Sequence, residues 1–247
     1  MMMLLLDIGN TNLRWALARS EDAFEVEVAR HSGAVPLDVL ARWEVLDPPS
    51  RLIVGNVGGA AVGESVRRVA HAYWGLEPEF VSVRAAWRDL RIAYADPSRL
   101  GVDRWLALIE AHASVDGAVL IVDAGTAVTY DLILGDGRHL GGSILPGIEM
   151  MRSSLLAGTQ IPRIESEPSG RSWATDTGSA IAAGSVQAVA ALADRLFEHL
   201  AHEAGAEPSM LLSGGDADRI ASAIQAPCEM VPDLVLRGLA RVVRELS

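Results

Sequence analysis

The chain opens on an apolar run that stops at an aspartate, and half a chain later the same pattern returns. Met3 to Ile8 reads as a fully buried strand, and Leu13, Trp15 and Leu17 alternate with polar or small residues as a second. The "GNTN" between them is a hairpin signal. "AFEVEVARH" (Ala23 to His31) predicts a third strand, "VPLDVLARW" a helix, "RLIVGNV" another buried strand and "AAVGESVRRVAHAYW" an amphipathic helix. From Val102, apolar residues recur at Trp105, Leu106, Leu108 and Ile109, a helical spacing. "VLIVDAGTAVTYDLIL" then gives strand, turn and strand, and "GRHLGGSILPG" a further strand with a glycine-rich corner. Gln160 to Trp173 is poor in apolar residues and predicts an exposed loop, and the alanine-rich Ala174 to Ala204 predicts one long helix. The tail alternates strand and helix again, and the whole order is that of an α/β chain with mixed sheets.

The recurrence is a long-period repeat. "LLLDIGNTNLRWALA" aligns with "LIVDAGTAVTYDLIL": apolar strand, Asp, a small step, Gly, polar turn, alternating strand. Asp7 and Asp123 stand 116 residues apart (123 − 7), about half the chain. One Asp-x-Gly turn has purely conformational explanations. Two at half-length spacing predict two similar halves that face each other across a cleft.

Composition narrows the picture. The 247 residues are half hydrophobic, enough for real cores. With 21 basic and 32 acidic side chains the formal charge is −11, which argues against a broad nucleic-acid surface while leaving room for an anionic substrate in a local pocket. Cys228 is the only cysteine, so neither an intramolecular disulfide nor a cysteine metal cluster can form. "MMMLLL" has no basic flank and is too short for a signal peptide or a membrane span, so the expectation is a cytoplasmic protein without membrane or nucleic-acid partners.

Several candidates carry chemistry. Asp7 is either a turn-forming aspartate or a carboxylate at a strand end that holds Mg²⁺, directly or through water. Gly9 would let a phosphate approach the backbone, with Asn10, Thr11 and Asn12 as neutral donors. Asp123, Gly125 and Thr126 form the matching turn, with Thr129 on the same side of its strand. "GGAAVGES" has the spacing of a phosphate-cradling P-loop, but Glu64 stands where the lysine belongs and would repel the phosphate. At a predicted helix start, Asp103 reads either as a dipole-favourable or capping aspartate, or as a general base beside the Arg104 guanidinium, which would fix an acidic substrate. His199 and His202 share a helix face but have no third metal ligand nearby in sequence, and no serine-hydrolase elbow or zinc-peptidase motif occurs.

Taken together, "DIGNTN", "GVDRW", "DAGTAVT", "HLGGSILPG", "TGSAIAAG" and "SGGDA" come in the order that resembles the type III pantothenate kinases, a family that includes the Bvg accessory factor. That family sits with acetate kinase, sugar kinases and actin. The resemblance therefore implies two ribonuclease-H-like halves, residues 1–115 and 116–247, around a cleft. It implies ATP as phosphate donor, Mg²⁺, and a monovalent cation, K⁺ or NH₄⁺, near Asp123. Asp7 to Asn12 and Asp123 to Thr126 would be the two phosphate loops. Asp103 would activate the pantothenate hydroxyl, and Arg104 would pair with the pantothenate carboxylate. Tyr94, Gly101, Val102 and Thr177 would complete that pocket, partly across a homodimer interface. "SGGD" would lie at the nucleotide side, Ser213 standing where the family more usually has threonine. "GNVGGA" departs from a stretch that usually carries serine and proline. The function expected is phosphorylation of pantothenate to 4′-phosphopantothenate, the first step of coenzyme A synthesis. The alternatives are another small-molecule kinase or phosphatase of the same superfamily, and a nucleotide-binding transcriptional accessory factor that does no chemistry.

Overall fold

A computed structural model describes residues 2–18, 25–161 and 172–246. Along the chain run strands β1 (Met3–Ile8), β2 (Asn12–Ala18) and β3 (Glu27–Arg30), helix α1 (Leu37–Glu44), β4 (Arg51–Asn56), α2 (Ala60–Trp74) and the two-residue strands β5 (Glu79–Phe80), β6 (Ala86–Trp87) and β7 (Leu90–Arg91). After a 3₁₀ turn at Pro97–Arg99 come α3 (Val102–Ser114), β8 (Val119–Ala124), β9 (Ala127–Ile133), β10 (His139–Pro146), α4 (Ile148–Ala157), α5 (Thr177–Ala204), β11 (Ser209–Ser213), α6 (Ala217–Ala221), β12 (Glu229–Met230) and α7 (Leu234–Leu246).

Contacts divide the chain into two compact units: residues 1–87, 94–110 and 233–247, and residues 88–93 and 111–232. Each is built on a five-stranded sheet, ordered β3-β2-β1-β4-β5 in the first unit and β10-β9-β8-β11-β12 in the second. The two orders are the same fold written twice. In each, an antiparallel hairpin (β1-β2, β8-β9) extends to a third antiparallel strand, and the other side of its first strand pairs in parallel with β4 or β11. The parallel strands are buried on both faces, which is why their sequences are continuous apolar runs.

In the first unit the core gathers Leu4, Leu6, Ile8, Leu13, Trp15, Val54, Val62 and Val66, with Trp43 fully buried against the edge of Trp15. Helix α7 packs on β1, β2 and β4, and its Leu236, Leu239 and Val243 are buried. A division of the chain at residue 115 would assign this last helix to the second half, and by contacts it belongs to the first unit. In the second unit, Leu120, Val122, Val128 and Tyr130 meet Val186, Val189, Ala193 and Phe197 of α5. The Tyr130 hydroxyl donates to Val189 O at 2.9 Å, satisfying the one polar atom this ring brings inside.

Three departures from the sequence expectations have local causes. The third strand is confined to Glu27–Arg30, although its predicted start at Ala23 lies outside the described residues. The long helix begins at Thr177, three residues after the expected Ala174, because the Asp176 side chain caps it by accepting from Ser179 N–H at 2.9 Å. Helix α4 was not anticipated from the periodicity; only Ile148 of its ten residues is fully buried, which leaves little pattern to read. The expected loop from Gln160 to Trp173 falls mostly outside the described residues, and within them Gln160 and Trp173 are exposed.

Candidate active site

In the first unit the buried β1 carries Asp7 to the end of the sheet, where the carboxylate is only 4% exposed. The chain turns at Gly9 to Asn12, closed by Gly9 N–H donating to Asn12 O at 2.9 Å, with Asn10 exposed at the tip. A neighbouring turn, Asn56–Gly59, backs this one. Ile8 O accepts from Val57 N–H at 2.8 Å and Gly58 N–H at 3.1 Å. A Cβ on Gly58 would lie 2.5 Å from Gly9 O, so only glycine permits that approach. This is the structural sense of the glycines in "GNVGGA".

Two residues that sequence reasoning passed over belong to this wall. Arg14 is the antiparallel register partner of Asp7, on the same face of the sheet, and its guanidinium lies 3.7 Å from the Asp7 carboxylate. Counting back across the four-residue turn would have found it. His31, at the end of β3, reaches Gly9 O from its ring Nε2 at 2.8 Å. No local signal marks that contact, which spans 22 positions of sequence.

The same unit holds the second group of candidates. Val102 opens α3 and is buried, and Asp103 and Arg104 occupy the first helical turn, where a carboxylate is favoured by the helix dipole. Arg104 N–H donates to Asp103 Oδ1 at 2.8 Å. That carboxylate folds over Gly101, where a Cβ would stand 2.4 Å from Oδ1. Arg104 is buried as a residue (7% exposed); its guanidinium donates to the Tyr94 hydroxyl at 3.0 Å and lies over the Tyr94 ring at 5.8 Å. The structure thus brings Tyr94, Gly101, Val102, Asp103 and Arg104 together. A guanidinium over an aromatic ring suits a bidentate anionic group, and the adjoining carboxylate suits a hydroxyl proton.

In the second unit the half-buried Asp123 stands one residue before the end of β8, and its register partner is Thr129 rather than an arginine. Gly125 N–H closes the turn on Ala127 O at 3.0 Å, and Thr126 is exposed at the tip. The turn after β11 backs it: Asp216 N–H donates to Ala124 O at 2.9 Å. A Cβ on Gly214 would lie 2.3 Å from Ala124 O and 2.5 Å from Asp123 Oδ1. The glycine-rich corner after β10 has the same use, since Gly147 N–H donates to Thr126 O at 2.9 Å. Thr177 is exposed at the start of α5, beside Asp176, whose pKa is held below the usual carboxylate range chiefly by backbone hydrogen bonding from Ser179.

The oxygen chemistry of both turns fits hard cations. No group of three or more His, Cys, Asp or Glu capable of holding a metal occurs among the described residues. Asp7 offers a single buried carboxylate, 3.7 Å from the Arg14 guanidinium, a donor set that fits Mg²⁺ where substrate phosphates and water supply most of its oxygens. At Asp123 the carboxylate and the Ala124 carbonyl both lie close against Gly214, and that carbonyl already accepts from Asp216 N–H.

A family model described as type III pantothenate kinase matches residues 3–199. The chain is 37% identical to the type III pantothenate kinase of Nitrosococcus oceani over 253 residues, spanning 100% of this chain and 95% of that protein. It is also 37% identical to the one of Aromatoleum aromaticum, over 99% of this chain and 98% of that one. Among solved structures, a Campylobacter jejuni protein described as a Baf family transcriptional activator matches with a TM-score of 0.60 at 22% identity over 98% of both chains. The polyphosphate/ATP-glucomannokinase of Arthrobacter sp. strain KM matches with a TM-score of 0.50 at 16% identity, over 100% of this chain and 99% of that one. At such identities these structures show the fold alone, that of the sugar kinases and actin-like ATPases. The sequence matches carry the rest: the chain belongs to the type III pantothenate kinase family, kinases that use ATP to phosphorylate pantothenate in coenzyme A biosynthesis.

Proposed function

We propose that Asp103 is the general base of this pantothenate kinase, and that Arg104 and Tyr94 seat the substrate carboxylate. The pantothenate primary hydroxyl attacks the γ-phosphorus of ATP, the bond from that phosphorus to the β–γ bridging oxygen breaks, and ADP leaves. The hydroxyl proton passes to Asp103. An aspartate is a weak base towards an alcohol, but it suffices when the proton leaves late and the reacting oxygens are already aligned. Gly101 and Val102 belong to the same pocket; Thr177, which the family resemblance also assigns to the substrate, begins α5 in the other unit.

The two Asp-Gly turns are assigned to the ATP phosphates, with Gly9, Asn10, Thr11 and Asn12 on one and Gly125 and Thr126 on the other. Asp7 is assigned to Mg²⁺, directly or through water, and Asp123 to K⁺ or NH₄⁺; bound there, the ions would neutralise phosphate charge. We place the enzyme in the cytoplasm, with no nucleic-acid or membrane partner, in keeping with its net charge of −11. Helix α5 is long and apolar enough to cross a bilayer, yet its buried residues meet the enzyme's own β8 and β9, the habit of a core helix. A homodimer is supported by the edge strand β10, which exposes Leu140 (41%) and Ile144 (60%). Within α5, Ala182, Ala183 and Ala190 are buried in the chain's own core.

The observation that carries the base assignment is the Asp103 carboxylate held by Arg104 N–H over Gly101, beside the Arg104–Tyr94 pair. Asp103→Asn is expected to lower kcat about 10²- to 10⁴-fold while ATP and pantothenate still bind. Full turnover by that variant removes Asp103 from the chemistry.

A further inference from the structure

We propose that His31 is a positioning residue for the first phosphate turn, its neutral imidazole fixing which way the Gly9–Asn10 peptide faces. The proposal rests on the reading of Gly9–Asn12 as a phosphate-binding turn, and its test separates the two.

The ring has two hydrogen bonds that together select one tautomer. Gly33 N–H donates to Nδ1 at 3.3 Å, so Nδ1 carries a lone pair. The proton therefore sits on Nε2, which donates to Gly9 O at 2.8 Å. The backbone of the same residue acts in concert, since His31 N–H donates to Thr11 O at 2.9 Å. One histidine thus holds two carbonyls of a four-residue turn.

Those carbonyls matter because of what an anion would meet. In a trans peptide the carbonyl of one residue and the N–H of the next point to opposite sides. With Gly9 O held towards His31, Asn10 N–H is directed away from it, at the exposed tip of the turn. If the peptide flipped, a carbonyl oxygen would replace that donor and repel a phosphate. Glycine at position 9 makes such a flip easy, because it lacks the Cβ that restricts other residues. The Nε2–H bond opposes it, and Gly58 backs the same oxygen closely enough to exclude any Cβ of its own. His31 thereby supplies by long-range contact the rigidity that the turn's own sequence lacks.

The test compares His31→Ala, His31→Gln and Thr11→Val in steady-state kinetics on the full chain. Glutamine carries an amide N–H that can reach Gly9 O, whereas alanine carries none. For His31→Ala, KM for ATP should rise about 3- to 10-fold, the worth of one hydrogen bond, with KM for pantothenate within about twofold of the parent. His31→Gln should restore most of the ATP affinity. Thr11→Val, which removes a donor from the turn itself, should also raise KM for ATP. If Thr11→Val raises it and His31→Ala does not, the positioning role is wrong and the phosphate turn stands. If neither changes KM for ATP, the phosphate reading of this turn fails with it. Equal changes in both KM values for His31→Ala, unrelieved by glutamine, mark a merely structural histidine and overturn the proposal.

Discussion

The two sheets share one strand order, one hairpin and one Asp-x-Gly turn, yet they surround their aspartates differently. Asp7 is buried with an arginine directly across the hairpin, whereas Asp123 is half-buried with a threonine in the equivalent place. A turn longer by one residue in the first hairpin accompanies the difference, with four residues between Ile8 and Leu13 and three between Ala124 and Val128. The duplication thus preserved a way of aiming backbone donors and changed the local charge. The first wall already carries a guanidinium beside its aspartate, whereas the second carries a neutral hydroxyl at that position.

The glycines that let each turn be backed closely offer the largest way to break the comparison. Gly214→Ala would put a methyl group 2.3 Å from Ala124 O in a backbone with φ of +95°, and Gly58→Ala one 2.5 Å from Gly9 O. Each should destabilise by about 1–3 kcal/mol or more through overpacking, with Gly214→Ala the worse for its backbone strain. Thermal unfolding of the two variants checks the order; equal stability of Gly214→Ala and the parent contradicts the close approach.

A smaller effect should come from making the first wall resemble the second. Arg14→Thr is expected to raise KM for ATP about tenfold, the value of one charge-assisted contact, while KM for pantothenate stays near that of the parent. Unchanged ATP kinetics would show that Arg14 serves Asp7 alone. The smallest effect should come from a glycine with no such duty. Gly184 sits exposed in α5 with nothing near its missing Cβ, so Gly184→Ala should stabilise the fold by about 0.5–1 kcal/mol. A loss of stability there would mean that the position is covered by something outside the chain, such as a second copy.

Much of this arrangement was legible in the sequence because it is local. The boundaries of α2, Ala60 to Trp74, were visible in its amphipathic period, and the two hairpins in their alternation and turn residues. Asp103, Arg104 and Gly101 could be singled out as neighbours, since they fall within four consecutive residues at the start of α3. What escaped depends on distance along the chain. The two-residue strands β5 and β12 are too short to carry a period, and exist because a parallel neighbour offers hydrogen bonds. The strongly amphipathic α7 was predictable as a helix, but nothing in its own residues says which sheet it covers. His31 escaped for the same reason, its partners lying in the turn before β2.

The central claim is that the twin turns hold different ions, Mg²⁺ at Asp7 and a monovalent cation at Asp123. Titrating both ions against the initial rates of Asp7→Asn and Asp123→Asn tests it most directly. The account predicts that Asp7→Asn raises the Mg²⁺ concentration needed for half-maximal rate and leaves the K⁺ requirement alone, while Asp123→Asn does the reverse. The same ion dependence altered in both variants, or neither altered in either, would contradict it.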